Sequence, residues 1–155
     1  AGLSNNAYRV TDSPPDGQGP LVSMTAALED GKLATEQVGY VNAHGTSTVM
    51  NDISETRGIR RALGHHAERV PISSTKSMLG HLVAACGGVE AIVTLCSLRD
   101  GIVHPTRNLE TPDPDCDLDY VPSAARQIDG GIEVALSNSF GFGGCNATLA
   151  LGGPE

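Results

Sequence analysis

Apolar and polar positions divide the chain into alternating strands and helices. Residues 12–20, DSPPDGQGP, are a polar loop rich in turn formers. Leu21 to Leu28 (LVSMTAAL) then reads as a helix ending near Gly31. Val38 to Ala43 is an apolar run interrupted by Gly39, and reads as a strand. After it, Asn51 or Asp52 can cap a helix that continues to about Leu63 and stops at Gly64. Val70 to Thr75 (VPISST) forms a second strand, with Pro71 tolerable at its start. Gly80 to Leu98 is small and apolar nearly all round, which predicts a long buried helix of the kind that lies between two sheets. Residues 104–117 stay extended because Pro105, Pro112 and Pro114 stop a helix. Val134 to Ser137 and Ala147 to Leu151 are two further strands, separated by NSFGFGGCN. This order predicts an α/β layered domain with a mixed sheet.

Bulk properties narrow the field. Hydrophobic residues make up 39% and charged residues 18% of 155, a globular and not a disordered composition, at a comfortable single-domain length. A net charge of −8 argues against general nucleic-acid binding. The basic cluster Arg57, Arg60 and Arg61 has helical spacing and is either a solvated helix face or a dock for an acidic partner. No apolar run reaches the roughly 18–20 residues of a membrane span, and no signal-peptide pattern opens the chain. Cys86, Cys96, Cys116 and Cys145 form no CxxC and no zinc spacing, so a reducing, cytoplasmic setting is expected. The opening AGLSNNAYRV has no initiator methionine, which suggests a piece of something longer.

Chemistry concentrates where strands give way to loops. His44 follows the first strand, Lys76 the second, and Phe142 the third. In open α/β sheets that edge is the usual place for a site, so three separated segments are expected to converge. His44, in VNAHGTSTVMND, could be a satisfied loop residue, a metal ligand or a catalytic group. In SSTKSMLGH, His81 is expected at or just inside the start of the buried helix, whose free N–H groups disfavour imidazolium. Taken singly, His81 reads as a packing or capping residue and Lys76 as a surface lysine. In NSFGFGGCN, which holds both phenylalanines, the glycines allow φ > 0 and close backbone approach. Such a loop can aim N–H groups at a developing oxyanion beneath an aromatic ring; a plain bulged hairpin is the alternative. A phosphate-binding GxGxxG fails, because its sixth position is Asn146 and a strand follows.

Together, NAHGTST, SSTKSMLGH and NSFGFGG resemble the C-terminal half of a β-ketoacyl-acyl-carrier-protein synthase. The likeness is to elongating condensing enzymes of bacterial type II fatty-acid synthesis and to polyketide ketosynthases, and it runs from about Ser4 to Leu151. The resemblance implies a thiolase-like domain over residues 1–155, half of an αβαβα five-layer enzyme. It implies that His44 and His81 assist decarboxylation of malonyl-carrier protein, with Lys76 paired to Glu90. Thr46 and Thr48 would hold the phosphopantetheine arm; Phe142 would be gate and, with its N–H, half of an oxyanion hole, Gly143 beside it in the substrate site. Asp52 and Glu55 match acidic positions of structural character. Asn42, Glu90, Ser137 and Asn138 resemble a site that holds a monovalent cation in some members.

The nucleophilic cysteine of that family lies in the N-terminal half, and nothing here matches it. Cys86 and Cys96 are expected mid-helix, Cys116 lies in the proline loop, and Cys145 stands where threonine is commoner. Arg9 stands where relatives often have histidine. The chain alone is therefore expected to be inactive and to self-associate through apolar surface. The complete enzyme would be a dimer that needs no cofactor of its own, since phosphopantetheine arrives on the acyl carrier protein. Three rivals remain: a non-catalytic chain-length-factor-like or scaffold subunit, a degradative thiolase with Cys145 as acid/base, and a binding module using the three arginines. Retention of His44, Lys76 and His81 argues against the first, and the same motifs against the second.

Overall fold

The computed structural model describes residues 1–153. Its main sheet has five strands: β1 (Gly2–Asn5), β2 (Val38–Asn42), β3 (Ile72–Ser73), β6 (Val134–Phe140) and β7 (Cys145–Gly152), ordered β1-β7-β6-β2-β3. β2 runs parallel to β3 and β6, while β7 is antiparallel to both β6 and β1, so the sheet is mixed as expected. β4 (Ile102–Val103) and β5 (Arg126–Gln127) form a separate small antiparallel pair.

Strand alternation sorts the core into two layers. Val41 and Leu136 face helices α1 (Gln18–Gly31) and α2 (Val49–Leu63), packing with Met24, Leu28, Ile59 and Leu63. Tyr40 and Ala135 face the other way, onto Leu98, Val103, Val121 and Ile132. The register shifts between Val38 and Tyr40, which returns Val38 to the first layer despite its odd spacing from Val41. Gly17 (φ 69°) lets α1 start against α2: a Cβ there would come within 2.5 Å of the Ser54 carbonyl oxygen.

Several boundaries differ from the sequence expectation. β1 was not expected. α2 begins at Val49, with Thr48 rather than Asn51 or Asp52 at its cap, and Asp52 lies in its first turn. Only Ile72–Ser73 of the 70–75 segment pairs as strand. The long helix expected over 80–98 is broken: a short α3 (Lys76–Leu79) precedes it and ends at Gly80, residues 83–85 form a single 3-10 turn, and only α4 (Cys86–Asp100) is a helix within the expected span. Nor is α4 buried all round. It buries Cys86, Glu90, Thr94, Ser97 and Leu98, a largely polar stripe, and leaves Ile92 63% exposed and Leu95 48% exposed. Among the described residues no helix is long and apolar enough to cross a membrane.

Candidate active site

The parallel strands β2, β3 and β6 end at the same sheet edge, so the three loops predicted to converge do so. The first corner is shaped by a carboxylate. Glu55, buried in α2, accepts the successive backbone N–H groups of His44 (2.8 Å) and Gly45 (2.9 Å), and side-chain N–H groups of Asn138 (3.0 Å) and Asn51 (3.5 Å). Burial pushes the Glu55 carboxyl up and these donors oppose that shift. Gly45 (φ 42°) is needed at this turn, since a Cβ would lie 2.6 Å from Ser74 Cβ. One turn earlier in α2, Asp52 accepts an N–H from Asn51 Nδ2 at 3.1 Å, and burial pushes its carboxyl up. Glu55 thus holds the backbone of the His44 corner.

The His44 side chain is enclosed. Its residue is 7% exposed, and its Nδ1 is buried with no hydrogen-bond partner among the described residues. Its ring lies 5.8 Å from that of His81 at 88°, and 5.5 Å from that of Phe140. Burial first, then the positive charge of Lys76 and the neighbouring His81, pull its pKa down to about 3. At neutral pH His44 is an uncharged imidazole.

Lys76 heads α3 and is buried, its Nζ donating to Glu90 Oε1 at 2.5 Å; Glu90 Oε2 has no partner among the described residues. Around the pair a polar array joins the strands to α4. Asn42 Nδ2 donates to Thr75 Oγ1 (2.9 Å), the Glu90 carbonyl (3.2 Å) and Thr94 Oγ1 (3.1 Å). His104 Nε2 lies 3.1 Å from both Thr75 Oγ1 and the Tyr40 hydroxyl.

His81 lies outside any helix, on the link between α3 and α4, because Gly80 at φ 78° turns the chain there. Its Nδ1 accepts the Val83 N–H at 3.0 Å, and Cys86 Sγ lies 3.4 Å from the same nitrogen. A backbone N–H needs a lone pair, so neutral His81 carries its proton on Nε2. Val83 holds φ at 54°, an unusual state for a β-branched residue, to make that bond. Cys86 was expected mid-helix without a chemical neighbour; it is the first residue of α4, and its thiol also accepts the Leu82 N–H at 3.1 Å.

The glycine-rich loop turns at Gly143 and Gly144, both at φ 76°. Segment 5–10 grips it: Asn6 N–H donates to the Gly144 carbonyl (2.8 Å), Asn5 Nδ2 to the Gly143 carbonyl (3.0 Å), and Gly143 N–H to the Val10 carbonyl (2.7 Å). Gly143 thus spends its amide on the fold. Phe142 is 79% exposed; the ring beside His44 is Phe140, which sequence reasoning passed over. β6 runs on to Phe140 and keeps it buried, although the polar stretch Ser137–Ser139 hides that continuation from a reading of apolar runs.

A cleft of about 600 Å³ opens beside these groups, lined among others by Thr46, Thr48, Asp52, Lys76 and His81, with the Thr46 and Thr48 hydroxyls 2.9 Å apart. The four residues expected at a cation site do not point to one place. Asn42 and Ser137 are register partners, whereas Asn138 follows on the opposite face, bonded to Glu55 and Thr148. The donor N–H groups of Asn42 face Glu90, where a cation would need oxygens. The geometry does not fit a cation held by these side chains. The arginines of α2 are staples: Arg57 bonds the Pro15 carbonyl, Arg60 bonds Asp117 and Glu68, and Arg61 bonds the Asp16 carbonyl. Arg9 pairs with Asp12 on the surface.

Residues 1–110 match the family model for the β-ketoacyl synthase, C-terminal domain. Among curated proteins, the chain is 54% identical over 149 residues to 3-oxoacyl-[acyl-carrier-protein] synthase 2 of Synechocystis sp., covering 96% of this chain and 35% of that protein. It is 51% identical over 151 residues to the synthase of the same name from Vibrio harveyi, covering 97% and 36%. The AntDE:AntF complex, a type II polyketide-synthase acyl-carrier protein with its ketosynthase bound to the hexaketide, superposes with a TM-score of 0.95 at 40% identity, covering 99% of this chain and 37% of that one. The chain spans about a third of the length of the curated relatives it matches.

Proposed function

This chain belongs to the β-ketoacyl synthase C-terminal domain family, and from that premise we propose that it forms the two-histidine part of a 3-oxoacyl-[acyl-carrier-protein] synthase of fatty-acid or polyketide synthesis. The observation that carries the reading is the perpendicular His44–His81 pair at 5.8 Å, with His44 uncharged. Two neutral imidazoles can each donate an N–H to the carbonyl oxygen of a malonyl thioester. As the bond to the carboxylate breaks, CO₂ leaves and its electron pair forms an enolate, whose oxygen the two N–H groups stabilise. The α-carbon then attacks an acyl thioester carbonyl, and the acyl-bearing thiolate departs to leave the β-ketoacyl product. Lys76 contributes charge that keeps His44 unprotonated, and Glu90 balances Lys76 in the interior. Thr46 and Thr48 line the route of the phosphopantetheine arm, and the Phe142 N–H and ring serve as oxyanion donor and gate.

The acyl-bearing cysteine comes, on this reading, from an N-terminal half, since Cys86 is buried and its thiol already touches His81. That half would cover the apolar face of α4, where leaving Ile92 and Leu95 in water forgoes roughly 1.5–3 kcal/mol for each fully buried side chain. The complete enzyme would be a cytoplasmic homodimer served by acyl carrier protein, and the isolated chain inactive. The test is carbon–carbon bond formation from acyl- and malonyl-carrier protein, with this chain co-expressed beside the N-terminal part of the Synechocystis relative. Turnover is expected there and not from the chain alone. Removing an oxyanion donor typically lowers kcat by about 10²–10³, so His44→Ala and His81→Ala should each do so. A double variant as active as the parent would end the proposal.

A further inference from the structure

Residues 106–108 belong to the wall of the cleft, and the reading above gives them no role. They are fixed in place. Thr106 N–H donates to the Val121 carbonyl and Arg107 N–H to Ser77 Oγ, each at 3.0 Å, which fastens this stretch to the turn carrying Lys76. Thr106 Oγ1 is buried without a hydrogen-bond partner among the described residues, an arrangement that normally awaits a polar ligand or water. Arg107 is exposed and lines the same cleft. Its guanidinium makes no hydrogen bond or ion pair among the described residues, whereas Arg57, Arg60, Arg61, Arg99 and Arg126 are each engaged by a carboxylate or carbonyl.

The charges along the cleft leave Arg107 a distinct task. Lys76 is committed to Glu90, and Asp52 and Asp113 are acidic. Arg107 is therefore the cleft's uncommitted cation in a molecule of net charge −8. A planar guanidinium presents paired N–H donors that match a phosphate better than a point charge does. We propose that Arg107 is the anion contact of this cleft and grips the phosphate of the phosphopantetheine arm, with Thr106 Oγ1 bonding an amide of the same arm. This rests on the reading of the cleft as the arm's route. The other anion such a substrate carries, a malonyl carboxylate, is separated from the phosphate by the choice of probes.

The ¹⁵N-labelled chain is titrated with pantetheine and with 4′-phosphopantetheine, following the Thr46 and Thr48 amides. An exposed ionic contact supports roughly a fivefold gain, so the phosphorylated arm should bind about fivefold tighter at low salt. Arg107→Gln should erase that gap without changing pantetheine binding, Arg107→Lys should retain part of it, and Thr106→Val should weaken both ligands alike. An undiminished gap in Arg107→Gln overturns the assignment while leaving the arm route standing. So does a variant that loses only a preference for malonyl-pantetheine over acetyl-pantetheine. If pantetheine moves neither threonine amide, the arm route itself falls and takes this inference with it.

Discussion

Glu55 and Glu90 are two glutamates buried to nearly the same depth, on helices that pack against opposite faces of one sheet, and each supports one reactive corner. They reconcile a carboxylate with a dry interior differently. Glu55 meets four N–H dipoles and no cation among its hydrogen-bond donors; Glu90 meets one ammonium group and leaves an oxygen bare. Dipoles have directions, so Glu55 dictates where the His44–Gly45 backbone runs. A countercharge is less directional, so Glu90 chiefly stabilises the charge on Lys76.

The contrast is broken most forcefully at Lys76. Lys76→Met leaves Glu90 as a buried unpaired charge and should lower stability by about 3–5 kcal/mol in urea unfolding. Adding Glu90→Leu should recover most of it; a single variant as stable as the parent would show that Glu90 does not depend on its countercharge. Glu55→Gln should have a smaller effect, about 1–3 kcal/mol, because the amide has one acceptor oxygen and turns an NH₂ toward a donor. Its mark should be displaced amide resonances at His44 and Gly45, which Lys76→Met should not reproduce.

Acid titration sharpens the picture further. The folded pKa of His44 lies far below its unfolded value, so the unfolded chain takes up the proton first as pH falls. Stability is therefore full above about pH 6.5 and declines towards pH 3, by at most about 1.4 kcal/mol per unit from this group. Burial also lowers His104, which adds in the same direction. Between pH 6.5 and 5, His44→Asn should flatten the slope measured by chemical denaturation relative to the parent; the raised carboxyls of Asp52 and Glu55 contribute with the opposite sign and are common to both proteins. The smallest effect is expected from Cys86→Ala, about 1 kcal/mol or less. The Nδ1 shift of His81 should stay that of an acceptor, because Val83 still donates to it.

The parts written locally were legible in the chain. β2 follows from its apolar run, α2 from its polar start and the Gly64 stop, β6 and β7 from the apolar runs on either side of NSFGFGGCN, and the three corners from motifs at strand ends. β1 was invisible because its pairing is with β7, at the far end of the sequence, and four residues carry no period of their own. α4 misled because its composition is apolar on every side, while burial selected the stripe bearing Cys86, Glu90, Thr94 and Ser97. Phe140 is hidden in the sequence because NSFGFGGCN looks like loop from Asn138 onward, whereas β6 continues to Phe140.

The arginine staples of α2 fasten residues 12–20 and 112–117 from the solvent side, and the second of these segments supplies Pro112, Asp113 and Cys116 to the cleft. Fastenings made in water respond to ionic strength: charge reach shrinks from about 8 Å under physiological conditions to about 3 Å in molar salt. Brine should therefore slacken the cleft's outer lip while the dry imidazole pair within keeps its spacing.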